Sequence, residues 1–262
     1  MLNALRAEGV NRLDVLAITH GDLDHRGGAF RVLSAMKVDE LWLPALSAPD
    51  RELDALAAFA AGKGVRVRRV AKGDRWESGE AMKVEVLWPQ AAARPSRSGR
   101  SDREWPAETI GAGLAFGPGR ARNDASLVLR VELAGLRVLF TADVGANVEA
   151  ALQTRPEALR SDVLKVGHHG SRHSSSARFL ATVAPRIAIV SAPCGAGRGL
   201  PSPLALGRLR AAGAELGWTG RDGAIGVAAD RAARPVMRYW GSPRQCAAGF
   251  SRAATTGRSG ID

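Results

Sequence analysis

Short apolar runs alternate with amphipathic stretches along most of this chain. Residues 1–12 carry a helical pattern that ends near Gly9, and residues 13–18 form an apolar run typical of a buried strand. A helix follows over 29–36, then a strand over 38–44 stopped by Pro44. Residues 50–61 form an alanine-rich amphipathic helix closed by Gly62-Lys63-Gly64. Residues 65–70 and 82–88 alternate with period two, as half-exposed strands do. Further on, 127–133 and 136–140 predict a hairpin across Ala134-Gly135. A helix over 147–159, a strand over 162–166, a helix over 175–183, a strand over 187–191 and a helix after Pro203 come next. Strands near 224–228 and 236–240 close the pattern. The class is α/β.

Two segments break the rhythm. Residues 90–122 are rich in Arg, Pro, Gly and Ser and read as a basic loop insertion. Such an arm could lie along a nucleic-acid backbone, with Trp105 or Phe116 stacking on a base. Residues 241–262 lack apolar periodicity and read as a disordered tail. One domain over 1–240 accounts for the rest.

Composition narrows the picture modestly. The 262 residues are 45% hydrophobic, enough for a real core, and no run nears the ~18–20 apolar residues that span a bilayer. With no transmembrane stretch and no secretory signal pattern, the chain taken alone is expected to be cytoplasmic. The net charge of +11, carried largely by arginine, favours an anionic partner such as nucleic acid. Cys194 and Cys246 make no framework and no metal-type spacing, so they are expected to be a packed residue and a tail residue.

Chemistry concentrates in Thr19-His20-Gly21-Asp22-Leu23-Asp24-His25-Arg26-Gly27-Gly28. Imidazole nitrogen and carboxylate oxygen are what a divalent cation takes from a protein. His20, Asp22, Asp24 and His25 are too crowded for one ion and suit two adjacent ones. The five histidines fall in two places, this loop and His168, His169 and His173. Asp143 ends a third apolar strand, in Thr141-Ala142-Asp143. Three strand ends thus present ligands, which makes a dinuclear metal site the best reading of the pattern.

The motifs at 19–28, 123–130 (Asn-Asp-Ala-Ser-Leu-Val-Leu-Arg), 139–143 (Leu-Phe-Thr-Ala-Asp), 165–171 (Lys-Val-Gly-His-His-Gly-Ser) and 222–225 (Asp-Gly-Ala-Ile) resemble the metallo-β-lactamase fold superfamily. More narrowly, the chain resembles the C-terminal hydrolase domain of ComEC-type competence proteins, membrane channels for DNA uptake. The resemblance runs from about residue 13 to 240. It implies an αββα sandwich of two mixed β-sheets with flanking helices. It implies two divalent metal ions, manganese or zinc, with His20 and Asp22 on one and Asp24, His25 and His168 on the other. Asp143 would bridge them, and Asp24 would also orient the nucleophile. His169 and Asn123 would be alternative or supporting contacts, and Lys165, Ser171 and Ser174 candidates for phosphate. His173 takes no role. A carboxylate at 22 and an amide at 123 favour manganese, the harder ion.

The implied activity is a metal-dependent phosphodiesterase or nuclease acting on single-stranded DNA during uptake. The implied partners are DNA and an inner-membrane uptake channel. A small-molecule hydrolase of the same fold and a silent DNA-binding remnant are the alternatives. Two departures bear on activity. The family's first strands are missing here, so an exposed sheet edge is expected. Leu200 stands where relatives carry a histidine before Pro-Ser-Pro, and Ala142 replaces the usual glycine before the bridging aspartate.

Overall fold

A computed structural model describes residues 2–79, 82–90, 122–194, 199–240 and 246. After helix α1 (Leu2–Ala7), three strands form a parallel sheet in the order β1-β2-β3: β1 (Arg12–Ala17), β2 (Lys37–Pro44) and β3 (Arg66–Val70). Between them run α2 (Leu23–Arg26), α3 (Ala29–Ala35) and α4 (Arg51–Gly62). The central strand β2 buries Leu41, Trp42 and Leu43 almost completely, as a strand covered on both faces must. Strands β1 and β3 form the two edges of this sheet.

The second sheet has seven strands. They are β4 (Arg75–Ser78), β5 (Met82–Trp88), β6 (Val128–Leu133), β7 (Leu136–Phe140), β8 (Val163–Lys165), β9 (Ile187–Val190) and β10 (Glu215–Trp218). Their order is β10-β9-β8-β7-β6-β5-β4, antiparallel from β4 to β7 and parallel from β7 to β10. Helices α5 (Ala146–Leu152), α6 (Ala177–Val183) and α7 (Pro203–Ala211) cover its outer face. The short helix α8 (Thr219–Asp222) leads into a two-stranded hairpin, β11 (Ala224–Ala229) and β12 (Pro235–Trp240).

Burial follows the period of two along the strands. On β8 and β9, Leu164 and Ala188 face the helices, while Val163 and Ile187 face the hairpin through Met237 and Ile225. Trp42 and Val70 of the small sheet meet Val84, Val86 and Leu129 of the large one. On the other side of the small sheet, Leu41 and Leu43 pack with Leu53 and Leu56 of α4. The layers are therefore helix, sheet, sheet, helix, the αββα sandwich the motifs imply. Strands β4 and β10 escape the sequence pattern because Arg-Trp-Glu-Ser and Glu-Leu-Gly-Trp hold no apolar run of the kind that marks β8 and β9.

Two expectations change. Cys194 and Cys246 form a disulfide across 52 residues of sequence, and Cys246 packs against the main core. Folding, not spacing, brings them together, so no sequence interval could announce the pair. Arg122, read as the end of the basic arm, is fixed at the metal-ligand loop as described below. Residues 91–121, with Trp105 and Phe116, and the tail apart from Cys246 lie outside the described residues.

The turn that carries His168 and His169 depends on Gly170. Its φ is +81°, and a Cβ there would lie 2.7 Å from Pro201 Cβ. Pro201 is itself buried next to Ser202, whose N–H binds Gly170 O at 2.8 Å. Gly170→Ala is expected to destabilise the fold by about 1–3 kcal/mol in urea unfolding, from the left-handed φ and the overpacking together. A change within 0.5 kcal/mol would show that the turn and Pro201 adjust freely.

Candidate metal centre

Three loops at strand ends build the site. The first leaves β1 and passes through His20 to α2. Gly21 is needed there because a Cβ would meet Asp50 Oδ1 at 2.7 Å, where Asp50 caps α4 through the Glu52 and Leu53 N–H groups. The second leaves β7 and ends in Asp143. The third leaves β8 and makes the Gly167–Gly170 turn. Leu127 N–H binds Thr19 O at 2.9 Å and His168 N–H binds Ala142 O at 2.9 Å, so the loops are stitched to each other and to both sheets. Ala142, His168 and His169 all have positive φ, of 46°, 47° and 54°. Strain of that kind collects at functional sites, and it explains why a glycine suits position 142.

Asp143, 6% exposed, is the meeting point. His25 Nε2 lies 3.4 Å from its Oδ1, while His169 Nε2 at 3.6 Å and His168 Nε2 at 3.9 Å approach Oδ2. His169 Nε2 also lies 3.3 Å from Asp24 Oδ2 and 3.3 Å from His25 Nε2. Its other nitrogen, Nδ1, is 2.7 Å from the Ser191 carbonyl, which can only accept. In the neutral ring Nδ1 therefore carries the proton, and Nε2 is a bare lone pair aimed at two carboxylates. Thr19 Oγ1 sits 3.0 Å from His20 Nδ1 and 3.1 Å from His25 Nδ1. One hydroxyl proton serves one ring, so the other ring presents its own Nδ1–H and a bare Nε2.

Two sets of ligand atoms converge within 4.8 Å: His20, His25 and Asp143, and Asp24, His25 and His169. His20 Nε2 is buried without any hydrogen-bond partner, as is Asn123 Oδ1. Unpaired buried polar atoms are costly, and lone pairs crowded around an anion repel each other. A divalent cation with nitrogen and oxygen ligands relieves both, so these residues fit one. Among the predicted site residues, His20, Asp24, His25, Asp143 and His169 come together. His168 lies slightly outside both sets, half exposed on the wall of an adjoining cavity. Asp22 turns one oxygen to Arg122 at 3.0 Å and holds the other 3.7 Å from His20 Nε2. Arg122 also binds Asp50 at 3.0 Å, tying the end of the insertion to the ligand loop.

The three phosphate candidates each make a hydrogen bond within the fold. Ser174 Oγ donates to Gly167 O at 2.8 Å, Ser171 Oγ accepts from His173 N–H, and Lys165 Nζ donates to Val166 O at 3.1 Å. Enclosure lowers the Lys165 pKa, with the Asp143 charge opposing it. Sequence reasoning missed Arg122 as a site residue and Arg172 and Arg208 as neighbours of the cavity. Arginines are too common in this chain for any one to stand out. Leu200 immediately precedes Pro201, the residue that packs on Gly170.

Burial, then the nearby charge of His25, pushes the His20 pKa down from 6.5 to about 4. Burial pushes the Asp143 carboxyl up, but hydrogen bonding to His25 and the charges of His25, His169 and His168 outweigh it and hold the pKa at about 2.

Comparison with known proteins places this geometry in context. The family model described as the metallo-beta-lactamase superfamily matches residues 2–194. ComE operon protein 3 of Bacillus subtilis (strain 168) is 30% identical over 188 residues, covering 72% of this chain and 21% of its own length. Competence protein ComA of Neisseria gonorrhoeae is 30% identical over 245 residues, 90% of this chain and 29% of its own. The chain thus spans less than a third of these curated relatives. Among solved structures, Zn(2+)-bound PqqB from Methylobacterium extorquens matches with 13% identity and a TM-score of 0.40, over 78% of this chain and 70% of that one. A likeness that loose says nothing about the site.

A pH dependence follows from the two shifts. His20's pKa of about 4 lies below its unfolded value of 6.5, so the unfolded chain takes up that proton first as pH falls. Metal-free protein should lose stability from pH 6.5 toward 4, and again from 3.8 through about 2 as Asp143 protonates. His20→Gln, measured by urea unfolding, should flatten the upper window. An unchanged slope there would contradict the burial argument.

Proposed function

The chain belongs to the metallo-β-lactamase superfamily, and on that premise we propose that it is a metal-dependent phosphodiesterase cutting single-stranded DNA. One observation carries the metal-dependent part: the bare Nε2 of His169 and the buried, unpartnered Nε2 of His20 are gathered with Asp24 and Asp143. The net charge of +11 and the competence-protein relatives carry the choice of DNA.

In this reading His20 and Asp143 would hold one divalent ion and Asp24 and His169, with Asp143 again, a second, while the single free nitrogen of His25 would serve one of the two. Bound there, such ions supply Lewis-acid polarisation of a phosphoryl oxygen and make water more acidic. The residues of the chain do the rest. Asp143 stays anionic at any physiological pH, so its two oxygens remain available to both sets. Ser191 fixes the His169 tautomer through its carbonyl, as outer partners of ligating histidines do. Asp24, the one exposed carboxylate of the group, is placed to take the proton of an attacking water. His168, on the cavity wall, is placed to hydrogen-bond the leaving oxygen. Arg122 steadies Asp22 beside His20. The role in DNA uptake, attachment to a membrane channel and the preference for manganese over zinc belong to the same proposal. Among the described residues, no helix is long and apolar enough to cross a membrane.

The test is cleavage of labelled single-stranded DNA by purified protein supplied with manganese or zinc. Cleavage that chelation abolishes, that manganese supports better than zinc, and that falls by at least about a hundredfold in Asp143→Asn is the expected result. DNA binding that persists in chelator without cleavage under any metal would make the chain a silent binding domain. Hydrolysis of small esters with no effect on DNA would make it a small-molecule hydrolase.

A further inference from the structure

A cavity of about 450 Å³ opens beside Asp143 and His168. Its far wall is the 171–176 loop, and that loop is held from beneath by two opposite charges. Glu149, 1% exposed, accepts the N–H groups of Ser175 and of Ser176, the latter at 2.9 Å. Arg208 donates to the carbonyls of Ser175 at 2.8 Å, Ser174 at 2.8 Å and Arg172 at 3.0 Å. The loop is therefore rigid where it faces the cavity.

What the loop presents is cationic. Arg172 and His173 are exposed on it, and Arg208 lines the same cavity. Neither Arg172 nor Arg208 has a carboxylate within ion-pairing distance among the described residues, and both line the cavity beside Asp143. Arg208's hydrogen bonds go to backbone carbonyls, and its charge is partly offset by the buried Glu149. Arg172's guanidinium has no hydrogen-bond or ion-pair partner among the described residues. An unneutralised guanidinium on a rigid wall, beside a hydrolytic centre, suits a phosphate.

We propose that this cavity seats a nucleotide flanking the scissile bond, with its non-scissile phosphate on Arg172 and the Arg208 charge behind it. This rests on the phosphodiesterase reading. It makes Arg172 a substrate-binding residue, and it makes Glu149 and Arg208 positioning residues for the loop. It also separates the substrate classes: a polynucleotide has a neighbouring phosphate for Arg172, and a simple phosphodiester has none.

The experiment uses the full chain with Arg172→Ala and Arg172→Lys. Binding of a short fluorescein-labelled oligothymidylate is followed in chelator across a potassium chloride titration. Cleavage of the oligonucleotide and of bis(p-nitrophenyl) phosphate is measured with manganese. Arg172→Ala should lower the slope of log Kd against log salt by about one, and Arg172→Lys should largely restore it. In cleavage, Arg172→Ala should raise KM for the oligonucleotide about fivefold more than for bis(p-nitrophenyl) phosphate, with little change in kcat. An unaltered salt slope, or equal effects on both substrates, would overturn the inference. So would a wild-type chain that does not bind the oligonucleotide. If the wild type cuts neither substrate yet Arg172→Ala still loses the salt slope, the cavity assignment stands and the phosphodiesterase reading falls.

Discussion

A buried carboxylate with three imidazoles around it is the constraint on which this molecule depends. Asp143 is nearly inaccessible, yet it is held ionised by histidines that arrive from two other loops. Burial alone would protonate it. Its charge, the unpartnered Nε2 of His20 and the bare Nε2 of His169 together suit a divalent cation among them. The two sheets bring that arrangement about. One delivers the 18–26 loop, the other delivers Asp143 and the His168-His169 turn, and the contact of Trp42 and Val70 with Val84 and Leu129 sets the distance between them.

The cost of that arrangement is visible in the backbone. Ala142, His168 and His169 each take a left-handed conformation that non-glycine residues avoid. They keep it because the loops hydrogen-bond each other and because Gly170 is wedged against Pro201. The 171–176 loop is braced in the same way by Glu149 and Arg208. Core packing therefore reaches the site through a few polar braces, and Arg122 extends the bracing toward the insertion.

Much of this was legible in the sequence, for physical reasons. Strands β1, β7 and β8 are apolar runs ended by candidate ligands, so both their identity and the convergence of their ends could be read. His20, Asp24, His25, Asp143 and His169 were recognisable because their residue types and their clustering have few other uses. What could not be read depended on tertiary contact. The Cys194–Cys246 disulfide has no local signature. Arg122 is one of many arginines until Asp22 and Asp50 are seen beside it. The choice between His168 and His169 turns on the Ser191 carbonyl, which is 22 residues from His169. Ser174 is a phosphate candidate by composition and a loop brace by geometry.

Elemental analysis of the purified chain, before and after reconstitution with manganese, tests the central claim most directly. The account predicts about two ions per chain for wild type. It predicts a loss of at least one of them in both Asp143→Ala and His169→Ala. A folded wild-type chain that binds no divalent metal at any concentration tried would contradict the account, because the lone pairs around Asp143 would then need another explanation.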